Sequence, residues 1–487
     1  MICGLIMIFL LLTLWPSVMA YAEDMQAPAT QTVEVGIPVE ESPGLFLDRS
    51  MPTQGEGKIV VFLISFPDYP NDNPAATREY YEKMYFSGLK EASLNGYDSV
   101  AAFYAKQSYG KLQLSGQVFD WYTAKHERSY YDSRKAELIM ETAEYYCTQG
   151  VDFSQFDGDG DGVIDSVTFH FAGEYSDDYD NPWYQGVRYS VSGEIGGLLF
   201  TTLIQLRGET TQTQSMPHDL MMTICHELLH NLGMPDLYSR KRLRLIPTND
   251  LMGDNQTFIN PYLKMMMGWI DTVQIITGEV QDVRLDLFDA SGDFVIVTDE
   301  YNGLFDEFYI VAYRDHYEDP QAVIWHIDAR LNEDGTSFLY QNLIYNPKPD
   351  HQTHLSAGTQ SLYPFIEEIS ADSFFDYVLN NAMSPTHTAF VQDSVLGPNH
   401  VPNSDTHDGR YTGIQIDDFK EHDNTYITFD VSFVKDETAP QITTQDSNLE
   451  FNTTVKILFN EHIYAGDAWE NVKVLDMEGN SLLVSIQ

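Results

Sequence analysis

The sequence has few cysteines for a chain of 487 residues. Of its three cysteines, Cys3 lies in an apolar N-terminal run, which leaves Cys147 and Cys225 for the rest of the chain. Two cysteines cannot form a disulfide framework or a cysteine-rich metal site. The sequence leaves open whether these two form a single bridge with each other.

Basic residues are also scarce, because 27 Lys and Arg stand against 73 Asp and Glu and give a formal net charge of -46. A surface of that sign repels nucleic acid and anionic membranes, so we expect neither as a partner. It favours solubility and cation binding. This charge would suit either a secreted protein or a protein from a salty habitat.

Long apolar runs are missing except at the N-terminus. There, an apolar run over residues 2–15 precedes small residues that permit cleavage after Ala20 or Ala22. The run is too short for a comfortable membrane span. We therefore predict a signal peptide at residues 1–22, a secreted or cell-surface-associated protein, and no stable membrane insertion elsewhere. No Lys or Arg precedes Arg49, so the usual positive segment is absent and a short uncleaved anchor is the alternative.

The next part of the chain mixes predicted strands with predicted helices. Residues 23–57 are rich in Pro, Glu, Thr and Gly without a clean period, and we interpret them as a linker or short pro-segment. Over residues 58–275, "KIVVFLISFPDYP" (58–70) and "DSVTFHFAG" (165–173) have the apolar content of buried strands. Helices are predicted over 98–116, ending near a glycine and continuing as a strand, and over 133–150. This mixture indicates an α+β catalytic domain.

Short strands dominate the later part of the chain. The segments "FVIVTDEY", "EFYIVAYR", "AVIWHID" and "TYITFDVSF" predict a β-rich domain over residues 276–435. Residues 436–487 look like the first strands of a bacterial immunoglobulin-like module. Because the sequence stops before such a sandwich could close, we predict a partial module there.

A metal site is indicated by "CHELLHNLGMPDLY" (225–238). Apolar residues recur through this stretch at helical spacing, so His226 and His230 lie one turn apart on one face and both can reach one ion. Imidazole suits zinc, and catalytic zinc takes three protein ligands plus water. Glu227 would accept a proton from the attacking water and pass it to the leaving amine.

The third ligand must come from the chain that leaves this helix. Gly233 permits a left-handed turn and Pro235 stiffens the return, so Asp236 is the first side chain past the turn that can bind a metal. It stands where the longer "HExxHxxGxxH" motif has its third histidine. A later acidic residue such as Asp250 is the competitor. Met252 matches the methionine turn that the extended motif predicts beneath the metal, and a decayed, non-catalytic site is the alternative.

The motif and five further segments resemble the immune-inhibitor-A-like secreted zinc metallopeptidases of the metzincin group. The segments are "NDLM", "SVAAFYAKQSYGKLQLSG", "DGDGDGVIDSVTFHFAG", "YLKMMMGWI" and "AVIWHID", in the family's order over about residues 58–435. The resemblance implies a zincin-type catalytic domain, with a twisted sheet plus an active-site helix, followed by β-rich modules. It also implies a zinc endopeptidase acting on proteins or peptides.

The resemblance carries over to individual residues. It implies zinc on His226, His230 and a carboxylate of the Pro-Asp segment, with Glu227 as general base. Tyr238 and Met252 also match family positions, the methionine as a structural floor rather than a ligand. The following loop at residues 239–248 departs from the family because it carries four basic residues.

A second cation site is predicted in "FDGDGDGVIDSV" (156–167). Positions 1, 3, 5 and 9 of an EF-hand-style loop carry carboxylates, from Asp157, Asp159, Asp161 and Asp165. Gly162 occupies the sharp turn at position 6, but position 12 is Thr168, so a further ligand must come from elsewhere. We predict a structural calcium ion that pins the strand after the loop; the alternative is a solvated acidic turn.

The intact histidine–glutamate–histidine set favours an enzyme over two other hypotheses. One is a catalytically inactive, protease-like adhesion or cell-surface binding protein, and the other is a cell-surface structural protein. The remaining histidines are scattered singly, so we expect His170 and His326 to be packed or surface residues rather than ligands. Cys225 is expected to lie in the core.

Overall fold

The computed structural model describes residues 29–88, 98–176, 178, 180–209, 217–237, 250–254, 258–315, 319–339, 366–369, 389–398, 400, 402–407, 409–435, 442–445 and 457–459. The predicted signal peptide, Tyr238, the basic loop at 239–248 and most of the predicted module at 436–487 lie outside these residues.

The described strands are β1 (Thr30–Glu34), β2 (Gly55–Ser65), β3 (Leu112–Thr123), β4 (Ser166–Phe171), β5 (Gly186–Ile195), β6 (Leu198–Arg207), β7 (Thr272–Ile276), β8 (Val280–Asp286), β9 (Phe294–Val297), β10 (Glu307–Arg314), β11 (Gln321–Asp328), β12 (Ile366–Glu368), β13 (Ile414–His422), β14 (Tyr426–Phe433), β15 (Ile442–Gln445) and β16 (Ile457–Phe459). The helices are α1 (Pro38–Glu41), α2 (Arg78–Phe86), α3 (Val100–Gln107), α4 (Lys135–Cys147), α5 (Pro217–Asn231), α6 (Leu251–Asp254), α7 (Pro261–Met266) and α8 (Phe288–Ser291). The predicted mixture of helices and sheets is confirmed. Within the described residues, none of the helices combines the length and apolarity that a membrane crossing requires.

A five-stranded sheet in the order β3-β2-β4-β6-β5 supports the candidate site. Its neighbours are parallel except for the edge strand β5, which runs antiparallel to β6. The inner strand β2, between β3 and β4, is buried on both faces of the sheet. Ile59 and Val61 face the core that contains α5, whereas Val60 and Phe62 face the core against α4. This arrangement explains why the strand is an almost continuous apolar run, as parallel strands covered on both faces are.

The two helices predicted before the motif are present with local capping. The Ser99 side chain accepts a hydrogen bond from the Ala102 amide at the start of α3, as an N-cap residue does. α4 ends before Gly150, which has a φ of +89° and closes the helix with a left-handed turn. Both helices are therefore specified by neighbouring residues, which is why their positions could be predicted.

A six-stranded sheet in the order β1-β7-β9-β10-β11-β12 lies between two cores. Ile310 and its partner Trp325 belong to the same core as α5. The next pair, Val311 and Ile324, faces a third core shared with the sheet β13-β14-β8. The strands predicted after residue 276 thus include one face that packs towards helix α5.

The segment before residue 58 is also part of the fold. Strand β1 pairs antiparallel with β7 at the edge of the six-stranded sheet. Further along, the Leu47 amide donates to the Gly233 carbonyl, and the Ser50 amide donates to the Asn231 carbonyl. The segment predicted as a linker or pro-segment therefore contacts the end of α5. The predicted domain boundaries stay predictions.

Candidate metal centre

Helix α5 carries two of the three candidate zinc ligands. Its apolar residues at helical spacing are all buried in the core against the sheets; they are Leu220, Ile224, Leu228 and Leu232. Cys225 is free and buried, in line with the prediction that it lies in the core, and its carbonyl accepts a hydrogen bond from the Tyr104 hydroxyl at 2.5 Å. The opposite face presents His226 and His230, whose rings are 4.9 Å apart and nearly perpendicular.

Gly233 closes α5 and turns the chain back towards the histidines. Its amide donates to the His230 carbonyl, and the Met234 amide donates to the Leu229 carbonyl, the two hydrogen bonds of a Schellman turn. The φ of Gly233 is +97°, a conformation that a residue with a β-carbon rarely adopts. The turn returns the chain so that Asp236 reaches both imidazoles.

The three candidate ligands converge in a buried position. His226 Nε2 lies 2.9 Å from Asp236 Oδ1, and His230 Nε2 lies 3.3 Å from the same oxygen. In an ideal tetrahedral zinc site with bonds of about 2.1 Å, two ligand atoms are about 3.4 Å apart. The two measured separations need only a small opening to meet that geometry, so this donor set fits zinc.

Backbone hydrogen bonds fix which ring nitrogen of each histidine faces Asp236. His226 Nδ1 lies 2.8 Å from the Leu251 carbonyl, and His230 Nδ1 lies 2.7 Å from the Met234 carbonyl. A carbonyl can only accept, so each Nδ1 carries the hydrogen and each Nε2 directs its lone pair at the carboxylate. This is the arrangement in which an outer hydrogen bond orients an imidazole for a metal.

A cation is needed between these groups, because two lone pairs at hydrogen-bond distance repel. Without a metal, only a proton can supply the charge. Burial by itself would lower the pKa of His226, but the hydrogen bond and negative charge of Asp236 outweigh burial and raise it to about 9. Burial would likewise raise the pKa of Asp236, yet the neighbouring histidines hold it well below its usual range. The centre therefore attracts positive charge strongly.

Glu227 lies beside these ligands on α5 and is buried. Burial raises its pKa, and the charge of Asp236 adds to that effect, while the histidines and Arg188 oppose it. A carboxylate with a raised pKa is a stronger base than an exposed one, which suits a group that accepts a proton. The strand β5 contributes the neighbouring Arg188 and Tyr189, and neither of them was singled out from the sequence.

The segment at residues 250–252 contacts α5 and the chain that follows it. The Leu251 carbonyl is the partner of His226 Nδ1, and the Met252 carbonyl accepts a hydrogen bond from the Leu237 amide. Asp250, the competing candidate for third ligand, is buried, but its carboxylate is hydrogen-bonded to other groups. Its carboxylate accepts hydrogen bonds from the Met252 amide and from the amide and side chain of Asn260. Asp236, and not Asp250, is the carboxylate placed with the histidines.

The acidic loop brings three of its four predicted ligands together. Carboxylate oxygens of Asp157, Asp159 and Asp165 lie within 4.8 Å of one another, whereas Asp161 is outside this group. The Asp161 carboxylate instead accepts a hydrogen bond from the Val163 amide at 2.8 Å. Asp165 is buried, and burial together with the neighbouring carboxylates raises its pKa to about 7.

Sequence reasoning missed one further group of possible ligands. Glu307, His326 and His407 are buried, and each offers a donor atom within 4.8 Å of the others. His326 was expected to be a packed residue, and His407 was not singled out. No local spacing links these three residues, so the sequence contained no motif that could have identified them.

Comparisons with known proteins point to the family that the motifs predicted. Residues 49–151 match the family model described as immune inhibitor A peptidase M6, catalytic domain. The predicted resemblance to this family is thereby confirmed over residues 49–151, which contain β2, α2, α3, β3 and α4. The ligands on α5 lie beyond the matched residues.

The chain is also similar to the pre-pro-metalloprotease PrtV of Vibrio cholerae serotype O1, in the strains M66-2 and ATCC 39315 / El Tor Inaba N16961. In both strains the alignment is 26% identical over 238 residues. It covers 37% of this chain and 25% of the relative. The match thus spans about a quarter of the length of these relatives.

Proposed function

We propose that this protein is a secreted, zinc-dependent endopeptidase that hydrolyses internal peptide bonds of proteins or peptides. The observation that carries the proposal is the convergence of His226, His230 and Asp236 beside Glu227, at the end of a buried helix. The match to a peptidase family and the similarity to a metalloprotease support it. When bound, zinc would polarise the scissile carbonyl and lower the pKa of water.

Residues of the chain would hold the ion and transfer the proton. His226, His230 and Asp236 would hold the ion, and the Leu251 and Met234 carbonyls would keep both imidazoles in the tautomer that binds it. Glu227 is the proposed base, which accepts a proton from the attacking water and returns it to the leaving amine. Such proton transfer by a positioned side chain contributes about 10²- to 10⁴-fold to a rate.

The test is Glu227→Gln, which keeps the shape of the side chain and removes the base. We expect casein hydrolysis to fall by about 10²- to 10⁴-fold, with the zinc content, measured by mass spectrometry, equal to that of the unsubstituted chain. Glu141→Gln is a matched control, because Glu141 is a buried carboxylate on α4, across the sheet from α5.

Two results would contradict the proposal. If Glu227→Gln retained more than about a tenth of the activity, Glu227 would not be the base. If the unsubstituted protein bound zinc but cleaved neither casein nor a mixed peptide library, the chain would not be an endopeptidase.

We also propose that Asp157, Asp159 and Asp165 bind calcium. Three carboxylates this close repel one another, and oxygen ligands of this kind suit calcium. The Asp165 carboxylate accepts hydrogen bonds from the Lys58 amide of β2 and the Gly158 amide of the loop, so an ion there would stabilise the join between loop and sheet.

A further inference from the structure

A second group of imidazole and carboxylate side chains lies on the six-stranded sheet. Strands β10 and β11 pair antiparallel, with Glu307 opposite Asp328 and Tyr309 opposite His326. Because side chains alternate along a strand, these four residues lie on one face of the sheet. The loop at residues 402–407 covers this face and adds His407, which is also buried.

The donor atoms of the group are close together. His326 Nε2 lies 2.9 Å from Glu307 Oε1, the same separation as between His226 and Asp236. The rings of His326 and His407 are 4.0 Å apart at their centroids. The His407 backbone amide also donates to Glu307 Oε1 at 2.6 Å, which ties the loop to the same carboxylate.

Asp328 sets the tautomer of His407. The Arg330 side chain donates two hydrogen bonds to the Asp328 carboxylate, at 2.8 and 2.7 Å. His407 Nδ1 lies 3.0 Å from the same carboxylate and donates its hydrogen to it. In a neutral ring, Nε2 of His407 is then the basic nitrogen. A carboxylate behind a ligating histidine is a recurrent feature of zinc sites.

Two carboxylates and an arginine contribute to the charge of this cluster. Glu307 and Asp328 are two buried carboxylates, and Arg330, which contacts both of them, supplies one positive charge. Two carboxylates held away from water are costly unless cations lie beside them. A metal ion held by Glu307 and the two imidazoles would be such a cation.

We propose that Glu307, His326 and His407 form a second, structural zinc site that fastens the 402–407 loop to the six-stranded sheet. Two imidazoles and one carboxylate are a donor set that suits zinc, whereas calcium and magnesium prefer oxygen ligands alone. The site lies outside the proposed catalytic centre and shares no residue with it. The proposal of this second site therefore does not depend on the proposed peptidase activity.

The test is zinc stoichiometry in the full chain after incubation with zinc chloride and removal of excess metal by dialysis. In a His226→Ala/His230→Ala background, which removes the first site, we expect about one tightly bound zinc per chain. Adding His326→Ala should abolish it. Adding His422→Ala instead should leave it in place, because His422 lies on β13 and its Nε2 contacts Thr428.

A gentler substitution keeps the proposal testable if His326→Ala does not fold. Glu307→Gln preserves the shape of the side chain and removes the ligand charge, and we expect it to weaken zinc binding by at least about 10- to 100-fold. X-ray absorption at the zinc edge should show nitrogen and oxygen neighbours without sulfur in the His226→Ala/His230→Ala protein.

Three outcomes would overturn the proposal. A folded His226→Ala/His230→Ala protein that binds no zinc would mean that protonated histidines and Arg330 neutralise the cluster without a metal. Unchanged zinc content in the Glu307→Gln protein would place the ion elsewhere. Bound calcium that is lost in the Glu307→Gln protein would contradict the assigned donor chemistry.

Discussion

Two helices of this protein end in the same turn, and only one of them leads to the candidate zinc site. At the end of α5 the amides of Gly233 and Met234 donate to the carbonyls of His230 and Leu229. At the end of α4 the amide of Gly150 donates to Cys147, and the next amide makes the same second bond. The φ values of the two glycines are +97° and +89°. Replacing each glycine with alanine therefore imposes nearly the same backbone strain in two different surroundings.

The atoms around each glycine determine how much stability its replacement with alanine should cost. A left-handed residue with a β-carbon costs about 1–2 kcal/mol, and the smaller entropy of the unfolded alanine chain returns about 0.4–1 kcal/mol. A β-carbon at Gly150 would meet nothing within 4 Å, so we expect a net loss of about 1 kcal/mol there. At Gly233 it would lie 3.0 Å from Val39 Cγ2 and 3.4 Å from the Leu47 carbonyl. Overpacking of this kind adds about 1–3 kcal/mol, for a total of about 2–4 kcal/mol.

The assay is urea-induced unfolding of both variants, followed by tryptophan fluorescence, together with their zinc content. Gly233→Ala should be less stable than Gly150→Ala by about 1–3 kcal/mol. It should also bind zinc more weakly, because the turn positions the Met234 carbonyl and Asp236. Equal stability of the two variants would show that the segment around Val39 does not pack on the turn. Unchanged zinc affinity in Gly233→Ala would show that the turn does not place the third ligand.

Three further predictions follow from other parts of the structure. Asp236→Ala should lose zinc and activity together, whereas Asp236→His should retain part of each, and full activity of the alanine variant would exclude Asp236 as a ligand. Selective removal of calcium should lower the melting temperature, and the melting temperature of an Asp165→Asn variant should not change with calcium. If calcium did not change the melting temperature of protein first shown to be calcium-free, the calcium site would be contradicted. Burial lowers the pKa of His170 from 6.5 to about 4, so the unfolded chain takes up this proton before the folded protein does. The contribution of His170 to the free energy of unfolding is complete above pH 6.5. It should decline towards pH 4 at up to about 1.4 kcal/mol per pH unit. His170→Asn should flatten this decline, and an unchanged pH profile would assign it to other groups.

The elements that the sequence predicted well are those fixed by neighbouring residues. The spacing of apolar residues specifies α5, and its last turn needs a glycine at residue 233 for steric reasons. Asp236 follows within one short return, so its convergence with the histidines depends on local geometry. The strands β10 and β11 were likewise predicted from their apolar and aromatic residues, which are buried on both faces; their pairing was not predicted.

Features that depend on distant pairing were outside the reach of such reasoning. Strand β1 is short and mostly polar, and its partner β7 lies more than 200 residues later, so composition alone suggested a linker. In the acidic loop, spacing predicted four ligands. The Asp161 carboxylate, however, accepts a hydrogen bond from the Val163 amide and lies outside the group formed by the other three carboxylates. Spacing shows which residues are available, while the local backbone decides which of them converge.

The cluster on the six-stranded sheet is the clearest case of this difference. Glu307 and His326 are neighbours because β10 and β11 pair in one register, and a slip of one residue would turn His326 to the opposite face. His407 joins them from a loop about 80 residues later, where its backbone amide and its side chain contact two different carboxylates. Each of these residues alone resembles an ordinary buried polar residue. Only the register of the sheet and the path of the loop make them a set of metal donors, so such a site can be recognised in a structure but not in a single sequence.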